Sequence, residues 1–283
     1  MYHHYVPVSH LSRWQRPEVS NEVFRFVKSD GEVRYYSNSP RSILGQDNLY
    51  ALSLQDGLDH TLEHDVMTSM VDNPYLEVAN RLISDIHFRP QPADYLMLAR
   101  FFLASLLRTP WAIDEMRPKV NQGISEALAS GGGFDIQDLS FVPDEIKVGF
   151  EKGDRVTMLK HGVLVAIAQQ VEKSELLASH SKCHKRVIRL TQPGLSFITG
   201  DRIMLMMQEK GSHVRTHIAP LSPHVCLAMV SDRSGLPSPT SQELFCRLVN
   251  EEMWNAARGS VVGFPNAPGL CERTLVRGDG RRP

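Results

Sequence analysis

Two adjacent histidines begin the most distinctive motif of the chain, His3-His4-Tyr5-Val6-Pro7, which continues through Leu11 and Arg13-Trp14. Imidazole changes charge near neutral pH and is the commonest protein ligand for metals, so either ring could activate water or hold a cation. On an extended strand the two side chains point to opposite faces, which gives them different jobs. Arg13 and Arg108 carry planar forks that suit a carboxylate inside the fold or a phosphate outside it. Asp201 follows Gly200 between apolar segments. A turn explains it, and so does a carboxylate placed at a strand end for catalysis or metal binding.

Taken together these residues predict a metal-dependent phosphodiester hydrolase, nuclease-like in character. His3, His4 and Asp201 form its catalytic set, and a divalent metal ion rests on His4 and Asp201. Arg13 and Arg108 anchor the substrate, a nucleic acid or another phosphate-containing molecule. The alternative is a non-enzymatic binding or accessory protein. In it the same His, Arg and Asp side chains are a structural hydrogen-bond network, and loss of a partner costs stability rather than activity.

Other groups have simpler explanations. Glu77 sits four residues before Arg81, the spacing of a surface helix ion pair. Glu63 and Asp65 fall at a helix start, where acidic residues suit the dipole. His180, Cys183 and His184 come close to a zinc half-site, but no second cluster supplies the remaining ligands. Lys182, Lys185 and Arg186 make that stretch a basic turn, and with Arg189 and the terminal arginines it is a weak candidate for nucleic-acid contact. His-His-x-x-Pro resembles the first strand of HNH-type nucleases, but Asn21 has no histidine after it until His60. The chain carries no phosphate loop, dinucleotide fingerprint, nucleophile elbow or HExxH helix.

The elements that must position these groups follow from hydrophobic period. Val23–Val27 and Val33–Tyr36 flank Ser29-Asp30-Gly31, the signal of a β-hairpin. Leu62, Val66 and Met70 are spaced as on a helix, Asp72-Asn73-Pro74 interrupts, and Leu76 to Ile83 resumes it. Pro92 and Asp94 open an apolar helix reaching Leu107, which Thr109-Pro110 stops and which suits the centre of a bundle. Further helices are expected over Ile113–Ala129, Arg155–Leu177 and Glu243–Arg258. Strands are expected at Val187–Leu190, Leu195–Ile198, Ile203–Met206 and Val225–Val230, with a loop over Asp232–Ser241. The expected fold class is α+β: an N-terminal strand and hairpin, a central helical bundle, a C-terminal antiparallel sheet and a closing helix.

At 283 residues, with 42% hydrophobic and 22% charged residues, the composition is that of a globular protein. A formal net charge of -1 excludes a strong overall field for polyanions. The four cysteines are scattered and read as reduced thiols. With no apolar run of spanning length and no secretory signal, a cytoplasmic location without membrane contact is expected.

The order of motifs resembles the bacterial DUF4238 family, a domain of unknown function. The resemblance rests on His3-His4-Tyr5-Val6-Pro7, Leu11 with Arg13-Trp14, Leu106-Leu107-Arg108-Thr109-Pro110, Thr199-Gly200-Asp201-Arg202, Pro220-Leu221-Ser222-Pro223 and Asn250. It covers the chain from about Tyr2 to Gly263. Where the family has Ser-Asp-Asn-Pro, this chain has Gly200-Asp201-Arg202-Ile203 and keeps only the carboxylate. The resemblance implies no reaction. It implies one compact domain over 1–264, with the opening motif part of the fold; the polar, basic composition after it predicts a flexible tail over 265–283.

Overall fold

Pro7 ends the extended opening stretch, so strand β1 (Tyr2–His4) gives way at once to the short helix α1 (Val8–Leu11). The computed structural model describes residues 1–16, 18–19, 21–29, 32–131, 134, 136, 138–173, 183–208, 215–230 and 241–278. The expected hairpin is formed by β2 (Val23–Ser29) and β3 (Glu32–Asn38), paired antiparallel from Val23 opposite Asn38 to Ser29 opposite Glu32. Its turn residues Asp30 and Gly31 lie outside the described residues. Three short strands follow, β4 (Gly45–Asp47), β5 (Leu52–Leu54) and β6 (Gly57–Asp59).

The next element departs from expectation. Residues Leu62–Asp72 form a π-helix, which runs without a break into helix α2 (Asn73–Ser84). The N–H of Asn73 still reaches back five residues to the carbonyl of Thr68. Pro74 therefore falls where the hydrogen-bond register passes from five residues to four, and its missing N–H disturbs the ladder little.

Helix α3 (Pro92–Leu107) starts as Pro92 and Asp94 predict: the Asp94 carboxylate accepts from the N–H of Gln91 at 2.7 Å. Helix α4 (Pro110–Ala129) has Thr109 as its N-cap. Then come α5 (Asp144–Glu151) and α6 (Arg155–Lys173). After them lie β7 (His184–Arg189), β8 (Thr199–Gly200), β9 (Leu205–Gln208), β10 (Arg215–Ser222) and β11 (Val225–Val230). Helix α7 (Gln242–Ala256) and strands β12 (Ser260–Val262) and β13 (Leu275–Arg277) close the described chain. The loop expected over 232–241 lies outside the described residues except for Ser241, the N-cap of α7.

This is an α+β protein, and its contacts divide it into two compact units where a single domain over 1–264 was expected. The first comprises Met1–Tyr5, Gln46–Glu77 and Gln91–Ser181, the second Val6–Gly45, Val78–Pro90 and Lys182–Pro283. The first is mainly helical. Its α3 is apolar on nearly every side and buries Leu98, Ala99, Phe101, Phe102 and Ala104, as a central helix must. Among the described residues no single helix is long and apolar enough to cross a membrane, and α3 and α4, which pass that test as a pair, meet at 79°.

The second unit holds two sheets, one ordered β7-β11-β10-β9 and one ordered β13-β3-β2-β12-β8. Phe26, Phe197, Ala228, Val249, Met253 and Val261 share one core between these sheets and α7. The expected strand Leu195–Ile198 does not form, because Asn250 occupies its backbone. The Asn250 amide nitrogen donates to the carbonyl of Ser196, and its oxygen accepts from the N–H of Ile198, both at 2.9 Å. The stretch expected to be a flexible tail is folded as far as Gly278. Ala267 and Leu270 are fully buried, and β13 pairs parallel with β3, since apolar side chains there complete the core of the second unit.

Candidate functional site

The opening motif alternates as a strand must. In β1, His3 is fully buried, while Tyr2 and His4 share the other face with their rings in edge contact at 5.0 Å. Each nitrogen of His3 has a partner in the first unit. The backbone N–H of Tyr50 donates to Nδ1 at 2.9 Å, and Nε2 lies 3.1 Å from Nδ1 of His60. Because Nδ1 accepts, the neutral ring carries its proton on Nε2 and donates it to His60. Burial, and then the proximity of His60, push the His3 pKa down from 6.5 to about 4. The ring is a fixed neutral connector. With one nitrogen accepting and the other donating, it has no lone pair for water or metal.

Tyr50 links this ring to a second expected residue. Its hydroxyl donates to the backbone carbonyl of Arg108 at 2.6 Å, and its own ring stacks on His3 at 5.6 Å between centroids. Arg108 ends α3, where a helix-capping role was the simpler expectation, yet its side chain is fully buried. Nη1 donates to Asp72, the last residue of the π-helix, at 2.8 Å. Burial works against the guanidinium charge, but Asp72 and the neighbouring Tyr50 and Glu63 outweigh it and hold its pKa above the usual value. Burial also lifts the Asp72 carboxyl, and Arg108 opposes that rise.

The first unit thus brings His3 and Arg108 into one polar cluster with Tyr50, His60, Glu63 and Asp72. Sequence reasoning missed Tyr50 and His60 as partners, explained Glu63 by a helix start and read Asp72 as part of an interruption in the helical pattern. Burial and the Asp72 charge push the Glu63 carboxyl from 4.5 up to about 7, despite the opposing charge of Arg108. A carboxyl poised at neutrality beside a buried arginine is characteristic of functional sites. Nothing local in the sequence marks it; the π-helix, a rare element that recurs at such sites, is visible only in the structure.

Arg13 and Asp201 belong to the second unit. Arg13 donates through Nη1 to the carbonyl of Leu221 at 3.3 Å and through Nη2 to the side chain of Asn80 at 3.1 Å. Asp201 is 1% exposed. Its carboxylate accepts backbone N–H bonds from Arg258, Gly259 and Ser260, tying the end of α7 to the start of β12. Burial raises its pKa and these donors pull the other way. Gly200 beside it pairs with Val261 across β8 and β12, where a Cβ would fall 2.7 Å from the carbonyl oxygen of Ser260. The Gly-Asp pair therefore serves a close strand crossing.

The remaining candidates resolve similarly. Arg189 donates to the carbonyls of Leu82 and Ile83 in the last turn of α2 and of Asp85 just beyond it, so it caps the end of that helix. His180 of the zinc half-site lies outside the described residues. Among the described residues, no group of three or more His, Cys, Asp or Glu side chains is arranged to hold a metal ion.

A family model described as "Protein of unknown function (DUF4238)" matches residues 2–263. No curated protein and no solved structure matches the chain.

Proposed function

The chain belongs to the DUF4238 family, and on that premise we propose that it is a non-enzymatic binding or accessory protein whose His, Arg and Asp signature residues are a structural hydrogen-bond network. The observation that carries this reading is His3. It is the first ring of the most distinctive motif, it is fully buried, and both of its nitrogens are engaged by Tyr50 and His60. Asp201 supports it, since three backbone donors take up its carboxylate. A metal-dependent phosphodiester hydrolase built on His3, His4 and Asp201 would need a basic nitrogen and carboxylate oxygens turned toward substrate.

The test combines stability with metal content and activity. Untagged protein purified without chelator is analysed by elemental mass spectrometry and screened for phosphodiester cleavage, alongside His3→Ala and Asp201→Ala. Both variants are expected to unfold at clearly lower temperature, because each leaves buried backbone donors unpaired. Stoichiometric transition metal that disappears in a stably folded Asp201→Ala variant, together with cleavage activity, would establish the hydrolase instead.

A further inference from the structure

We propose that the π-helix and the end of α3 form a carboxylate-binding site, in which the Nε–Nη2 edge of Arg108 holds both oxygens of a ligand carboxylate and the Glu63 carboxyl hydrogen-bonds one of them. The site uses the unpartnered edge of Arg108, whose Nη1 serves the scaffold through Asp72, and neither His3 nor Asp201, so it goes beyond the scaffold reading and is tested separately.

Three observations converge on it. The Arg108 side chain is wholly removed from solvent, and Asp72 satisfies only Nη1; Nε and Nη2 are buried without a hydrogen-bond partner. Two unmet donors on a buried cation are costly, and such groups are filled by a ligand, an ion or water. Oε2 of Glu63 is likewise buried and unpartnered, although Glu63 interacts electrostatically with both Arg108 and Asp72. A donor edge and a carboxyl oxygen thus share one polar cluster without bonding to each other. Finally, both acidic residues stand on the π-helix, Glu63 in its first turn and Asp72 at its end. Glu63 is half-buried and Asp72 keeps 18% of its side chain exposed, so the π-helix face is where the site reaches solvent.

The ligand class follows from charge and shape. A planar fork matches two coplanar oxygens, which a carboxylate presents. Asp72 already neutralises Arg108, so a phosphate dianion would add two negative charges to a balanced ion pair. A monoanion adds one, and it does so without further repulsion only if Glu63 is neutral. The charged and titratable groups that act on Glu63 are Arg108, Asp72 and Tyr50. Above the Glu63 pKa binding therefore draws one proton from solvent onto Glu63, which then donates to the ligand as in a shared-proton carboxyl pair.

Acetate is the probe. Calorimetric titration in two buffers of different ionisation enthalpy should show one acetate per chain at pH 6. Above pH 7 about one proton should be taken up per acetate bound, with affinity falling roughly tenfold per pH unit. Glu63→Gln, which donates without titrating, should keep its affinity at pH 8 and flatten the profile, and Arg108→Lys, which lacks the fork, should lose binding. Absence of saturable binding by folded parent protein would overturn the proposal. So would a Glu63→Gln profile as steep as the parent's, tighter binding of inorganic phosphate than acetate, or crystals grown in acetate that show only water against Arg108. None of these results bears on the thermal effect of His3→Ala, which tests the scaffold role.

Discussion

Glu63→Gln isolates the electrostatics of the first unit in a single change. In the folded chain the Glu63 carboxyl titrates near 7 against an ordinary value of 4.5. A group whose folded pKa is raised binds protons more tightly in the native state, so it costs stability as pH climbs through that interval. A difference of about 2.5 pH units corresponds to about 3 kcal/mol, developed between pH 4.5 and 7 and constant above. His3 works in the opposite direction. Its folded pKa of about 4 lies below the ordinary 6.5, so its contribution is complete above pH 6.5 and is lost as pH falls toward 4. Between pH 4.5 and 6.5 the slopes of these two groups oppose each other. Glu63→Gln removes the falling limb. The variant should match the parent near pH 4.5, gain about 1.4 kcal/mol per pH unit above it, and end about 3 kcal/mol more stable at pH 8. Urea unfolding followed by far-ultraviolet circular dichroism, which reports the helices of the first unit, measures this directly. A variant less stable than the parent at pH 8, or an effect unchanged between pH 5 and pH 8, would refute the assignment of Glu63 as a buried carboxyl poised near neutrality.

Two further expectations concern the second unit. Asn250→Ala withdraws the partner from the N–H of Ile198 and from the carbonyls of Ser196 and Pro268, and should cost about 3 kcal/mol or more in thermal or urea unfolding. Arg189→Ala removes the donors that cap the end of α2; it should cost about 1 kcal/mol and speed amide exchange in the last turn of that helix.

The helices were legible because their signals are local. Pro92 and Asp94 start α3 wherever that segment is placed, and Thr109-Pro110 ends it and caps the next. The hairpin was legible for the same reason. Strand β10 was not, because His217 and Pro220 spoil its alternation. It forms because β9 and β11 offer ladders on both sides, and Pro220 is tolerated because the pairing with β9 has ended by Ile218. The π-helix was misread because apolar residues four apart describe an α-turn as well as they describe a segment of a wider one. A five-residue register is decided by packing, and the sequence carries no separate sign of it.

The candidate site divides along the same line. Composition and spacing alone determine that His3 and His4 face opposite ways on a strand, that Arg108 closes an apolar helix and that Asp201 follows a glycine between apolar segments. Those are consequences of backbone geometry within a few residues. What each side chain does was decided only by partners brought from far along the chain: Tyr50 and His60, 47 and 57 residues from His3, Asp72, 36 residues before Arg108, and the turn 57 to 59 residues beyond Asp201. A polar group removed from water must be satisfied by whatever the fold places beside it. Its role as connector, anchor or open site is therefore a property of the tertiary structure.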